Sequence, residues 1–258
     1  MNSIKSYLAI YLVFAIISCK KSETIQNKPY QLSYGDSVFY ISNQPQDILA
    51  SPVNGLPGTF TAFPDGLVID PASGVINISQ SEAGMKYRVT YKGSSGDSSN
   101  AFVVVSGINF PDKFYYIQSS DTLAFPVYNA DPNKILPSGS FDDDRVANNS
   151  GCAMKTTNGQ INLTESIRNG LFGSTPKNDT RKDFDVKYRL DDKSGKASNK
   201  IKILIYYYDH MSDVPTTLVQ TVQDHQAMTF QPNNVPLSLS LVKTAKPRPP
   251  CIVIIGHN

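Results

Sequence analysis

Phe184, Val186, Tyr188 and Leu190 alternate with Asp183, Asp185, Lys187 and Arg189, and Ile201, Ile203, Ile205 and Tyr207 repeat the period after a polar stretch over 191–199. A period of two places all the apolar side chains on one face of an extended chain. The pattern therefore predicts a hairpin with one face on a core and the other in water. Tyr87, Val89 and Tyr91 show the same alternation against Arg88 and Thr90. Short apolar, β-prone runs stand at 37–41, 59–63, 67–69, 75–78 and 101–105, separated by Asn54-Gly55, Pro57-Gly58, the 70–74 loop and a Gly/Ser stretch over 93–100. Regular short strands between turn residues, with no helical period among them, predict about seven strands and a β-sandwich over 30–107.

Beyond Gly107 the texture changes, and Asn109-Phe110-Pro111-Asp112 marks a boundary. Segments 113–117 and 121–128 are expected to pair around Ser119-Ser120, and 131–150 is expected to be loop. Asn162 followed by Glu165 three residues on, with Gly170 behind, predicts one short helix. Segment 217–228 fits helix or strand. Cys251 to Ile255 is wholly apolar and is expected to be a buried terminal strand. The fold class is thus mainly β: an N-terminal sandwich, then a β-rich domain over 108–258 with one or two short helices.

At the N-terminus, Lys5 precedes an uncharged, mostly apolar run of 11 residues over 7–17, and Ser18-Cys19 follows. Such a run is too short to span ~30 Å of hydrocarbon as a helix but suits a secretory signal. A small residue directly before a Cys at the end of the run resembles the lipobox of bacterial lipoproteins. The resemblance implies that residues 1–18 are removed and that Cys19 carries acyl chains, placing the protein in a bacterial cell envelope, on the outer membrane. Segment 19–29 is polar, as a flexible tether between anchor and domain should be.

Phe63-Pro64-Asp65-Gly66-Leu67-Val68-Ile69-Asp70-Pro71-Ala72-Ser73-Gly74-Val75-Ile76 and, further on, Glu82-Ala83-Gly84-Met85-Lys86-Tyr87-Arg88-Val89-Thr90 resemble the signatures of Ig-like, cadherin-like repeats of bacterial surface proteins. The resemblance implies a spacer or adhesion module over 30–107 and no catalysis. In physical terms, Gly66 and Gly74 permit turn geometries, Asp70 can bond the backbone of the turn that Pro71 opens, and Leu67, Ile69 and Ile76 can point inward.

Composition narrows the function. The 258 residues carry 24 basic and 22 acidic side chains, and without 1–18 the balance is 23 to 22. A near-neutral chain lacks the basic stripe of a nucleic-acid binder. The partners expected are the membrane, through the lipid anchor, and a protein or carbohydrate. No cofactor motif stands in the chain. Three Cys are too few for a disulfide scaffold, but Cys152 and Cys251 are expected to pair in an oxidising compartment once Cys19 is acylated.

Candidate chemistry is sparse. Asp142, Asp143 and Asp144, with Asn148 and Asn149, offer oxygens for Ca²⁺, yet Val146, Ala147 and Ala153 stand where the twelve-residue calcium loop needs ligand, Gly and Glu. The alternative is a solvated loop with Asp143 or Asp144 paired to Arg145. Asp209-His210, with Asp213 near it, and Asp224-His225 are acid–imidazole pairs that could serve a metal or acid–base site, and His257 lies near the end. The aromatic runs Phe114-Tyr115-Tyr116 and Tyr206-Tyr207-Tyr208 must give one face to a core, and the other could stack on sugar. Two functions remain: a non-catalytic envelope protein whose spacer presents a β-rich binding domain, or a periplasmic or surface enzyme built on the Asp loop and the Asp-His pairs.

Overall fold

The computed structural model describes residues 30–230 and 246–257. Cys19, the signal and the tether lie outside the described residues. The described chain is mainly β, with seventeen strands, three α-helices and one 3-10 turn.

Seven strands fall between 30 and 107. Four form a sheet in the order Val38–Phe39, Ser98–Val105, Met85–Gly93, Gly58–Phe63, and three more form a sheet in the order Leu49–Ala50, Ile76–Asn77, Val68–Ile69. One core lies between them, with Phe60, Tyr87, Val89 and Val103 from the first sheet and Ala50 and Ile76 from the second. Leu67 and Ile69 are half-buried against it. The 70–74 turn joins Val68–Ile69 to Ile76–Asn77 antiparallel. Asp70 Oδ1 accepts from the Ala72 and Ser73 amides at 3.1 and 2.6 Å, the turn bonding that its position predicted. Gly74 has φ +72°, and a Cβ there would meet the Phe60 ring at 2.6 Å. Turn conformation and close packing both require glycine at that position.

The second half is organised by a five-stranded sheet in the order Gly139–Phe141, Thr180–Leu190, Asn199–Tyr208, Cys251–Ile255, Lys113–Tyr116. The long hairpin has the predicted faces: Phe184, Val186, Tyr188, Leu190, Ile201, Ile203, Ile205 and Tyr207 are buried in one core. The terminal strand runs parallel to both its neighbours and is buried at all five positions. A parallel strand in mid-sheet loses both faces to packing, which explains its unbroken apolar run. Ile252 and Ile254 join the core on one face, while Cys251, Val253 and Ile255 meet the helix Thr216–Phe230 on the other.

Two expectations of local structure change, and one left open is decided. Segments 113–117 and 121–128 do not pair with each other. Lys113–Tyr116 joins the terminal strand, Leu123–Ala124 joins Ile161–Asn162, and Val127–Tyr128 joins Ile108–Asn109. The 131–150 stretch contains the strand Gly139–Phe141 and a single turn of helix, Val146–Asn149. The open segment is helix over Thr216–Phe230, where Val222 is buried on the sheet. The short helix came as its cap residues predicted: it runs Leu163–Arg168, and Asn162 accepts from the Glu165 amide at 3.0 Å.

The two halves meet through buried polar contacts at residues 106–109. The Gly107 amide donates to Asn129 Oδ1 at 3.0 Å, and just past the boundary, within the second half, the Ile108 amide donates to Tyr188 Oη at 3.2 Å. Asp192 Oδ2 accepts from Tyr128 Oη at 2.9 Å and from Ser106 Oγ at 3.1 Å. Arg248 donates to the Ala83 carbonyl from the far end of the chain. Buried polar groups satisfied across a joint fix its geometry, because opening it orphans each of them.

Candidate functional site

The expected Cys152–Cys251 disulfide is absent: both thiols are free and buried. The terminal strand explains why. Cys152 packs in the core that receives Ile252 and Ile254, whereas Cys251 points to the helix side with Val253, so the sheet stands between them. Burial pushes each thiol up to about 12. Native protein at pH 8 should therefore resist maleimide at both positions, and unreduced, unfolded protein should label at both; labelling of neither after unfolding would restore the disulfide.

The acidic loop has a structural employment. Asp142 is fully buried, and its carboxylate accepts from the Ala147 amide at 3.0 Å and from the amide and side chain of Asn148 at 2.8 and 2.7 Å. It holds the Val146–Asn149 turn as a capping carboxylate would. Asp143 pairs with Arg189 and Asp144 with Lys187, each at 2.9 Å, so Arg145 is the partner of neither. The hydrogen bond from Lys187 holds the Asp144 carboxyl below the usual carboxylate range.

The Asp-His pairs do not converge on this loop. Lys187 stands opposite Lys200, eight residues before Tyr208, and His210 follows beyond Tyr208. At ~3.3 Å per residue Tyr208 is already about 26 Å along the hairpin from Lys200, the position facing the acidic loop's partner, and His210 lies beyond it. The His210 ring lies against that of His257, tilted at 41° with centroids 5.5 Å apart, and the His210 amide donates to Asp213 at 3.0 Å. Asp224 accepts from Gln220 on the exposed side of its helix, not from His225. The aromatic runs divide between two cores: Tyr115 and Tyr207 lie on one face of the sheet, and Phe114, Tyr116, Tyr206 and Tyr208 on the helix face.

His225 finds another partner. Asp112, at the foot of the Lys113–Tyr116 strand, is fully buried, and its Oδ1 lies 2.8 Å from His225 Nδ1. The same oxygen accepts from the Cys251 amide at 2.7 Å. The Asp112 carbonyl accepts from the Gln226 side chain, one residue along the helix. One ligand atom from each of Asp112, His225 and Cys251 lies within 4.8 Å of the others. Asp112 Oδ2 is buried and has no hydrogen-bond partner among the described residues. Burial pushes the Asp112 carboxyl above its usual range, against the bonds from His225 and Cys251 that favour its charged form.

A cavity of about 440 Å³ opens beside this cluster, lined by His225 and Cys251 together with Tyr206, Tyr208, Leu218 and Arg248. Cysteine, imidazole and carboxylate together invite comparison with a nucleophilic triad. The electrostatics oppose it. An activated cysteine has a lowered pKa beside a cation, whereas burial and the Asp112 carboxylate raise that of Cys251.

The sequence treated Asp112 as a boundary residue, His225 as the partner of Asp224 and Cys251 as half of a disulfide. Nothing in local spacing connects 112, 225 and 251. The parallel placement of the terminal strand beside Lys113–Tyr116, with the helix laid across both, brings them together. No protein-family model matches this chain, and no curated protein does.

Proposed function

We propose that this chain is a lipid-anchored protein of a bacterial cell envelope, in which residues 30–107 act as a spacer and hold the β-rich second half toward a partner protein or glycan. The observation that carries the reading is the joint at 106–109. Asn129 bonds to Gly107, Asp192 to Ser106 and Arg248 to Ala83 across it, so the orientation of the second half is set by the first. A spacer that presents a binding surface needs that rigidity. The Lys5, apolar run, Ser18-Cys19 order supports the anchor. No described helix is long and apolar enough to cross a membrane. The cavity beside Tyr206 and Arg248 supports a binding role, with a ring and a cation at its wall.

Phase partitioning and intact mass test the proposal together. The wild-type chain should enter the detergent phase, begin at Cys19 and carry a diacylglyceryl adduct. Cys19→Ser should lose the adduct and the processing. A wild-type product in the aqueous phase that begins elsewhere overturns the anchor. Mobility in gels containing envelope polysaccharide, compared between wild type and Tyr206→Ala, reads the glycan arm.

A further inference from the structure

We infer that Asp112, His225 and Cys251 form a binding site for one Zn²⁺ ion, with the fourth coordination position open to the adjoining cavity. Carboxylate oxygen, imidazole nitrogen and thiolate sulfur are the three ligand types zinc takes, and three protein ligands with one open position are a common zinc arrangement. Zinc bonds of about 2.0–2.3 Å at tetrahedral angles place ligand atoms roughly 3.3–3.8 Å apart. The three atoms here already lie within 4.8 Å of one another, about an ångström beyond that spacing at most.

One observation points to a ligand independently of that spacing. Asp112 is fully buried, yet Oδ2 has no partner among the described residues, and a buried carboxylate oxygen left alone is costly. The charge balance is also specific. A divalent cation, one carboxylate, one thiolate and a neutral imidazole sum to zero, which is the state a buried site tolerates.

In the metal-free site a proton lies between His225 Nδ1 and Asp112 Oδ1 and holds them at 2.8 Å. In the loaded site the ion takes that place, the ring carries its proton on Nε2, and the Cys251 thiol proton passes to solvent. The Cys251 amide still donates to the Asp112 carboxylate, which orients it as supporting hydrogen bonds orient metal ligands. The elements are well separated in sequence: the head of one strand, a helix and the head of the parallel strand beside it. A metal ion would therefore tie the helix Thr216–Phe230 to the sheet it covers, and loading should raise the unfolding midpoint of the whole chain.

The test uses the full chain purified in detergent in a Cys19→Ser background, which leaves Cys152 and Cys251 as the remaining thiols. Metal-free protein is loaded with Zn²⁺, exchanged into chelator-treated buffer and analysed for metal, and Co²⁺ serves as the spectroscopic reporter. One Zn²⁺ per chain and a thiolate-to-cobalt charge-transfer band are expected. Asp112→Asn and Cys251→Ser should each weaken affinity at least tenfold, and Cys251→Ser should abolish the band. Cys152→Ser should change neither, because that thiol lies across the sheet. A wild-type chain that retains no zinc, or a cobalt spectrum without the thiolate band, overturns the inference without recourse to any variant. So does a band that survives Cys251→Ser or disappears with Cys152→Ser. Circular dichroism of each variant separates loss of metal from loss of fold.

Discussion

Gly84→Ala should destabilise the chain by about 2–6 kcal/mol, the largest effect expected of any single methyl group added here. Gly84 has φ +75°, and a Cβ on it would stand 2.1 Å from the Ile108 carbonyl oxygen and 2.3 Å from its carbon. Backbone cannot yield as the tip of a side chain can. The Gly84 amide also donates to Val105 at 2.8 Å, and the preceding carbonyl, Ala83, accepts from Arg248. The residue therefore sits where the first half closes on the second, and moving Ile108 disturbs the amide that Tyr188 accepts. Gly96→Ala is the matched control. Its φ is +92°, but nothing lies within 4 Å of its Cβ position, so it carries the conformational penalty alone, about 1 kcal/mol. Urea unfolding of both variants isolates the close approach. Equal losses would mean that residues 84 and 108 are not held together.

Ile76→Ala should cost about 2–5 kcal/mol, and Ile76→Val about 0.5–1.5 kcal/mol. Ile76 is fully buried in the middle strand of the three-stranded sheet, opposite Ala50 on one side and Ile69 on the other. Its side chain belongs to the core that holds Phe60, Tyr87 and Val103, so truncation leaves a void between two sheets rather than at an edge. The loss should appear as a shift of the urea midpoint at unchanged slope, since the surface exposed on unfolding hardly alters. A loss below about half a kcal/mol would contradict a core between the two sheets.

The two variants also separate what was legible from what was not. Ile76 could be placed inside from the sequence, because a β-branched residue after a Gly-containing turn in an alternating run has one face available. Gly84 stood in the repeat-like segment, but the carbonyl that forbids a side chain there comes from residue 108 and was invisible. The acidic loop shows the same limit. Three consecutive Asp read as one cluster, yet Asp142 turns inward to cap a helical turn while Asp143 and Asp144 reach separate cations on the long hairpin. Successive residues in extended or turn structure point different ways, so adjacency in sequence is poor evidence of a shared site.

The sequence by itself determined the terminal strand, the faces of the long hairpin, the Asp70 turn and the cap at Asn162. Each depends on period, on turn chemistry or on bonds to residues within three positions, and such signals are local. Tertiary structure alone decided which strands became neighbours, as with the hairpin expected at Ser119-Ser120 that each arm gave up for a more distant partner. It also decided that Cys251 would face away from Cys152 and toward Asp112 and His225. Cys251–Ile255 is apolar at every position, so its composition cannot say which side chains take which face. Its parallel register against Leu204–Tyr208 and Lys113–Tyr116 fixed that choice, and with it the one buried cluster of oxygen, nitrogen and sulfur ligands found among the described residues.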